Sequence, residues 1–132
     1  MGAWDATSFG NDTANDWAEE LEDCGDFAHI EAAFKRIEDL KGKYIITHDG
    51  EVAVAAAEVL AWLRGKPSES DAYTEVIADW VAAHPLAPSA ELLARARAVL
   101  DRLRTEPSEL MEVWEGDAEW VAAMDDLSAR LS

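Results

Sequence analysis

The sequence predicts an all-α fold, in which a single domain (residues 1–132) contains six or seven short helices around a central apolar helix at about residues 51–64. Apolar residues recur every three or four positions along almost the whole chain, which is the spacing of one helix face. Capping residues, glycines and prolines divide this pattern into segments of helix length. The one β-type run, residues 43–47, has no second strand pattern to pair with. A chain of 132 residues is also the usual size of one domain.

The first two helices are predicted between residues 11 and 42. Asn11 or Asp12 caps the first helix, and Gly25 separates it from the second, which ends near Gly42. Residues 43–47 then form an extended connector. The residues predicted to face inward are Ala14, Trp17, Ala18 and Leu21 in the first helix, and Phe27, Ile30, Phe34 and Ile37 in the second.

The third helix is predicted to follow Asp49-Gly50 and to end at Gly65. It is the most apolar segment of the chain, and Glu58 within it is flanked by alanines. Small residues on more than one side indicate close packing all round, which favours a central position. One broad face carries Val52, Ala56, Val59, Leu60 and Leu63, and the other carries Glu51, Ala55, Glu58 and Trp62.

Four cap signals precede the remaining helices: Ser70-Asp71, Ser89, Pro107-Ser108 and Asp117. The arginines of the fifth helix are expected to point mostly outward. The inward residues are Tyr73, Val76, Ile77, Trp80 and Val81, then Leu92, Leu93, Ala96, Val99, Leu100 and Leu103, then Leu110, Val113 and Trp114, and finally Trp120, Val121, Met124, Leu127 and Leu131.

The chain is strongly acidic, with a formal net charge of −17. Residues 1–34 hold nine acids and no Lys or Arg, and residues 105–132 hold eight acids and one base, whereas the middle of the chain is nearly balanced. Such a surface repels phosphate backbones and anionic lipid, so direct binding to nucleic acid or membrane is not expected. Either the charge serves solubility, or it forms an acidic face for a basic partner protein.

No residue pattern indicates a metal, a cofactor or a catalytic centre. His29, His48 and His84 are scattered, and Cys24, the only cysteine, has acidic neighbours that disfavour a reactive thiolate. Without a disulfide framework, signal peptide or membrane-length apolar run, the chain is expected to be cytoplasmic. Four of the six tryptophans have the spacing of core residues: Trp17, Trp80, Trp114 and Trp120.

Three stretches resemble a bacterial family known as domain of unknown function 4259. They are residues 1–4 with 9–16, the central Ala-Ala-Ala-Glu at residues 55–58, and Ser-Glu-Leu at 108–110 followed by Trp114. The resemblance covers essentially the whole chain, with Asp5 where a glycine is expected. It implies a stand-alone helical protein and no particular activity. The polar and aromatic positions that it singles out are Trp4, Asn11, Asp12, Asp16, Glu58, Glu109 and Trp114.

These positions allow two interpretations. In the first they support the scaffold: Asn11 or Asp12 caps a helix, Glu109 lies in a first turn favoured by the helix dipole, and Trp114 packs. In the second they form one polar cluster that joins the first stretch, the central helix and the penultimate helix.

The N-terminus is predicted to dock as an ordered, non-helical segment over residues 2–10. Exposing both Trp4 and Phe9 would leave apolar area worth roughly 1.5–3 kcal/mol for each aromatic side chain in contact with water. The expected landing place is the region of Glu58 and residues 109–114, which would bring the two acidic ends of the chain together.

Three functions are compatible with these features. The first is a non-enzymatic interaction domain that presents an acidic face to a basic protein, as an immunity protein or inhibitor does. The second is a small-ligand or peptide-binding module with a pocket near Glu58 and Trp62, suited to an amine or another cation. The third is an acidic mimic of DNA. The partner and the oligomeric state are not fixed by the sequence.

Overall fold

A computed structural model describes residues 6–132 of the chain, and this part is all-helical. The prediction of an all-α fold is confirmed, and so is the upper end of the predicted helix number. The seven helices are α1 (Asp12–Leu21), α2 (Ala28–Glu38), α3 (Thr47–Leu63), α4 (Glu75–Ala83), α5 (Ala90–Leu103), α6 (Glu109–Trp114) and α7 (Ala118–Arg130).

Helix α3 is the centre of the fold, as predicted, and packs against each of the other six helices. Its burial extends to opposite sides, since Ala53 and Ala57 on one side and Ala55 on the other are fully inaccessible. A helix that is apolar on every side belongs in the interior, and alanine lets neighbouring helices approach closely. Buried side chains from all seven helices form one continuous hydrophobic cluster around it.

The predicted start of the central helix at residue 51 is wrong by one turn, because α3 begins at Thr47. Two contacts from α6 explain the extra turn. The Glu109 carboxylate accepts a hydrogen bond from the Thr47 backbone N–H at 2.7 Å and so satisfies a free donor of the first turn. Gly50 lies inside the helix, where a Cβ atom would come within 2.7 Å of Leu110 Cδ1. Gly50 therefore serves close packing and not a turn.

The start of α4 also differs from the prediction. Asp71 does accept backbone hydrogen bonds, from Tyr73 N–H at 2.8 Å and Thr74 N–H at 3.1 Å, but these close a turn that precedes the helix. The helix itself begins at Glu75, and Tyr73 is exposed instead of inward. Val113, also predicted to face inward, is exposed, while Trp114 is half-buried.

Three of the other caps lie where the sequence places them, whereas Ser108, at the N-cap position of α6, donates its hydroxyl to Leu103 C=O at 2.7 Å and does not cap the helix with its side chain. Asn11 Oδ1 accepts from Ala14 N–H at 2.7 Å, Ser89 Oγ from Leu92 N–H at 3.1 Å, and Asp117 Oδ1 from Trp120 N–H at 3.2 Å. The connector before α3 is extended, as predicted. It pairs once, in a parallel bridge between Ile45 and Ser108, and this bridge holds α6 against the start of α3.

The described part of the N-terminal segment, residues 6–10, is non-helical and ordered by a turn in which Gly10 N–H donates to Thr7 C=O at 3.1 Å. Phe9 is buried, with 3% of its surface exposed, which confirms its predicted burial. Trp4 lies outside the described residues, so its predicted burial stays a prediction.

Candidate functional site

The most deeply buried charged side chain in the described structure is Glu58, on α3. Only 1% of its surface is exposed. Ser8 Oγ donates to Glu58 Oε1 at 2.8 Å, Arg130 Nη2 donates to the same oxygen at 2.9 Å, and Arg130 Nη1 donates to Oε2. A buried carboxylate requires such a partner, because an unpaired charge in the interior is strongly destabilising.

Arg130, at the end of α7, is held on all sides. Besides its two-pronged contact with Glu58, its Nε donates to Asp126 Oδ2 at 2.9 Å and its Nη1 to the Lys66 carbonyl at 3.1 Å. The hydrogen bonds to Glu58 are the main reason that the pKa of Arg130 is raised above its ordinary value. One guanidinium thus joins the central helix, the loop after it and the last helix.

A cleft of about 620 Å³ opens beside this pair. Its walls come from the N-terminal segment, the loop between α3 and α4, and α7. The N-terminal segment and the last helix therefore meet here, but the N-terminal residues at the cleft are neutral, and the acids that line it come from residues 58–71 and 119–126. The cleft is lined by Thr7, Ser8, Phe9, Glu58, Pro67, Ser68, Glu69, Asp71, Thr74, Glu119, Ala122, Ala123, Asp126 and Arg130.

The rim of the cleft is more acidic than its base. Glu69, Asp71, Glu119 and Asp126 are exposed around it, whereas the buried Glu58 is neutralised by Arg130. Asp126 shares the same guanidinium, and Asp71 closes the turn before α4. A ligand in the cleft would therefore meet chiefly negative charge.

The other positions taken from the family resemblance do not join Glu58. Glu109 caps α3, about eleven residues or roughly 16 Å along the helix from Glu58. Asn11 caps α1, and Asp12 and Asp16 are exposed on that helix. Asn11 and Trp114 meet at a separate small cavity. Trp4 lies outside the described residues.

That small cavity, about 30 Å³, has room for a water molecule. Thr7 and Ser8 line both this cavity and the acidic cleft, and the buried Glu51 lines the cavity alone. Burial is the main reason that the pKa of Glu51 is raised, and a hydrogen bond from Thr13 and the charge of His48 offset part of the effect.

Trp62 does not line the acidic cleft, although Glu58 does. Its indole N–H donates to Ser68 Oγ at 3.2 Å. The side chains therefore do not form a pocket that combines a free Glu58 carboxylate with the Trp62 ring. Trp17, Trp80 and Trp120 are buried in the core, as predicted.

Sequence reasoning missed the two partners of Glu58, Ser8 and Arg130. One signal was available, since Arg130 is the only basic residue among the 28 residues from 105 to 132. A lone arginine in an acidic helix would be expected to face a buried carboxylate. No comparable signal marks Ser8, which lies in a segment without periodicity.

Among residues 6–132 there is no group of three or more His, Cys, Asp and Glu side chains placed to hold a metal ion. His29 stacks on Trp17 with ring centroids 4.8 Å apart, and His84 stacks on Trp80 at 4.7 Å. Over the same residues, none of the helices combines the length and the apolar character needed to cross a bilayer.

The fold and the site thus define a small helical protein whose central helix carries a buried, arginine-paired glutamate beside an acidic cleft. The chain belongs to the family described as Domain of unknown function (DUF4259), whose model matches residues 2–125. No curated protein and no solved structure gives a significant match to the chain. The matched stretch contains Ser8 and Glu58. It ends at Asp125, one residue before Asp126 and five residues before Arg130.

Proposed function

We propose that the protein is a non-enzymatic interaction domain that binds a basic partner protein through the acidic cleft and the surface around it, in the manner of an immunity protein or inhibitor. The cleft supplies the concave surface, and its rim supplies the carboxylates Glu69, Asp71 and Glu119. Opposite charge on the partner would steer the encounter and speed association.

One observation carries the proposal: all seven arginines of the chain donate hydrogen bonds or form ion pairs within the fold. Arg95 joins α5 to Glu38 of α2 with contacts of 2.7 and 2.8 Å, and Arg104 pairs with Asp125 of α7 at 2.8 Å. The positive charge is used to connect elements, so the exposed surface keeps a large negative excess. Stability alone would not require so many unpaired acids.

The test is binding to a defined probe, a lysine- and arginine-rich peptide, measured by fluorescence anisotropy at low and high salt. Any acidic protein attracts a basic peptide weakly, so location is the informative readout. The variant Glu69→Gln/Glu119→Gln removes two charges from the cleft rim. The control variant Glu22→Gln/Asp23→Asn removes two exposed charges from residues that do not line the cleft.

We expect the cleft variant to weaken binding by about tenfold and the control by no more than about threefold, with both effects shrinking as salt rises. Equal losses for the two variants would reject the cleft as the binding surface. Affinity purification from the organism that encodes the protein should then recover a basic protein that is released by salt. A neighbouring gene for a secreted toxin would favour the immunity role.

A small-ligand module is the second candidate, and the volume of the cleft favours it. Because Glu58 is already paired, an amine would have to use Glu69 or Glu119. Thermal-shift screening of amines and basic peptides separates the candidates, since a small-ligand module should respond to a low-molecular-weight amine and an interaction domain should not. If the protein instead mimics DNA, duplex DNA should compete for the same partner.

A further inference from the structure

The guanidinium of Arg130 is bound as an arginine-binding protein would bind its ligand. The buried Glu58 accepts from both terminal nitrogens, Asp126 accepts from Nε, and the Lys66 carbonyl accepts a further hydrogen bond. Ser8 Oγ donates to Glu58 Oε1, the oxygen that also accepts from Arg130 Nη2, and so helps to hold the carboxylate in place. Planar, two-pronged geometry of this kind selects a guanidinium over an ammonium group.

The cation in this site comes from near the end of the same chain, while its principal acceptor lies at the centre of the fold. Ser8, Glu58 and Lys66 lie inside the stretch that matches the family, and Asp126 and Arg130 lie just beyond it. Glu58 and Arg130 also both line the wall of the acidic cleft, so the site borders the surface that is proposed to receive the partner. Arg130 keeps a side-chain exposure of 16%, against 2% for Glu58.

We propose that Glu58, Asp126 and the Lys66 carbonyl form a receptor for an arginine side chain of the basic partner, and that Arg130 occupies this receptor in the free protein. This inference rests on the proposed function, since it names the residue type that the acidic cleft recognises. An arriving arginine replaces Arg130, so Glu58 is paired before and after the exchange. No buried charge is left uncompensated at either stage, which is the condition for an exchange at a buried carboxylate.

The experiment is chemical rescue of Arg130→Ala, which empties the receptor without altering Glu58. Thermal unfolding is followed with ethylguanidinium chloride as the probe, and with ethylammonium chloride at equal ionic strength as the matched control. We expect the melting temperature of Arg130→Ala to fall by about 10 °C or more, since one partner of a buried pair is lost. Ethylguanidinium at about ten times its dissociation constant should restore about 3–6 °C of this loss.

Three comparisons make the rescue specific. Wild-type protein, whose receptor is filled, should gain less than Arg130→Ala, because ethylguanidinium must first displace Arg130. Arg130→Ala/Glu58→Gln should show none either, because the carboxylate that holds the guanidinium is gone. Arg104→Ala, which removes another arginine from an ion pair with α7, should not distinguish the two salts. If Arg130→Ala fails to fold, its refolding yield in the two salts takes the place of the melting temperature, and only ethylguanidinium should recover folded protein.

Equal melting temperatures of the Arg130 variant in the two salts would overturn the receptor, and so would the same gain in Arg130→Ala/Glu58→Gln. This outcome is separable from failure of the proposed function, because the rescue uses no partner. Rescue without salt-sensitive binding of the basic peptide would reject the partner and keep the receptor. Peptide binding that is confined to the cleft, without rescue, would support the basic partner and reject the receptor.

Discussion

Gly50→Ala should destabilise the protein, although alanine is the better helix former. An ideal Cβ at this position would lie 2.7 Å from Leu110 Cδ1 and 3.1 Å from Leu110 Cγ, about 1 Å inside normal carbon–carbon contact. Leu110 is buried, and Leu103 Cδ2 lies 3.5 Å from the same Cβ, so the neighbouring side chains have little room to move. Overpacking of this kind costs roughly 1–3 kcal/mol, and the gain from replacing glycine in a helix is about 0.5–1 kcal/mol. The net loss is about 0–2.5 kcal/mol, and about 1 kcal/mol for the middle of both ranges.

Urea unfolding gives the free energy of the variant, and Gly25→Ala supplies the control. Gly25 has ordinary backbone angles and open space around its Cα, so alanine there should be neutral or slightly stabilising. Combining Gly50→Ala with Leu110→Ala should recover about 1 kcal/mol relative to the sum of the single changes, because the clash disappears. If Gly50→Ala is as stable as wild type, the close approach of α6 to α3 is wrong.

Three further changes test other parts of the fold. Glu109→Ala should lower the free energy of unfolding by about 1 kcal/mol, because the Thr47 N–H loses its acceptor; an unchanged urea midpoint would refute the cap. Phe9→Ala should cost about 3 kcal/mol, and a loss below about 1 kcal/mol would mean that the N-terminal segment is not docked. Burial raises the pKa of Glu51, so the stability it contributes is present below its unfolded pKa and is lost as pH rises through the folded value. Glu51→Gln should therefore exceed wild type in stability at pH 7 and match it near about pH 4, whereas a constant difference would contradict the assignment.

The fold was largely predictable because its signals are local. Side-chain caps such as Asn11 and Ser89 satisfy donors two or three residues away, and helical periodicity identifies core residues such as Leu100 and Leu127. The error at the start of α4 was local, since the hydrogen bonds of Asp71 close a turn and not the first turn of the helix. The error at the start of α3 arose because the partner is distant in sequence. The first turn of α3 depends on Glu109, 62 residues away, and no local pattern at residues 47–50 reveals it.

The candidate site was predictable only in its centre. Glu58 was conspicuous as a carboxylate among alanines, but its partner is 72 residues away in a helix that otherwise presents acids. The resemblance also grouped Glu58 with Glu109, because both are polar in otherwise apolar surroundings. Their environments differ: the first is a buried ion pair and the second a helix cap.

The use of arginines as internal connectors gives ionic strength two opposite effects on this protein. Exposed carboxylates repel one another in the folded state, and added salt relieves that self-repulsion. The hydrogen bonds of the connecting arginines lose little strength in salt, because Arg97 and Arg102 bond to neutral carbonyl oxygens and Arg130 bonds to a buried carboxylate. Salt should therefore stabilise the free protein while it weakens attraction to a basic partner. Concentrated salt favours a folded, unbound protein, whereas in dilute salt the protein is less stable and associates more readily.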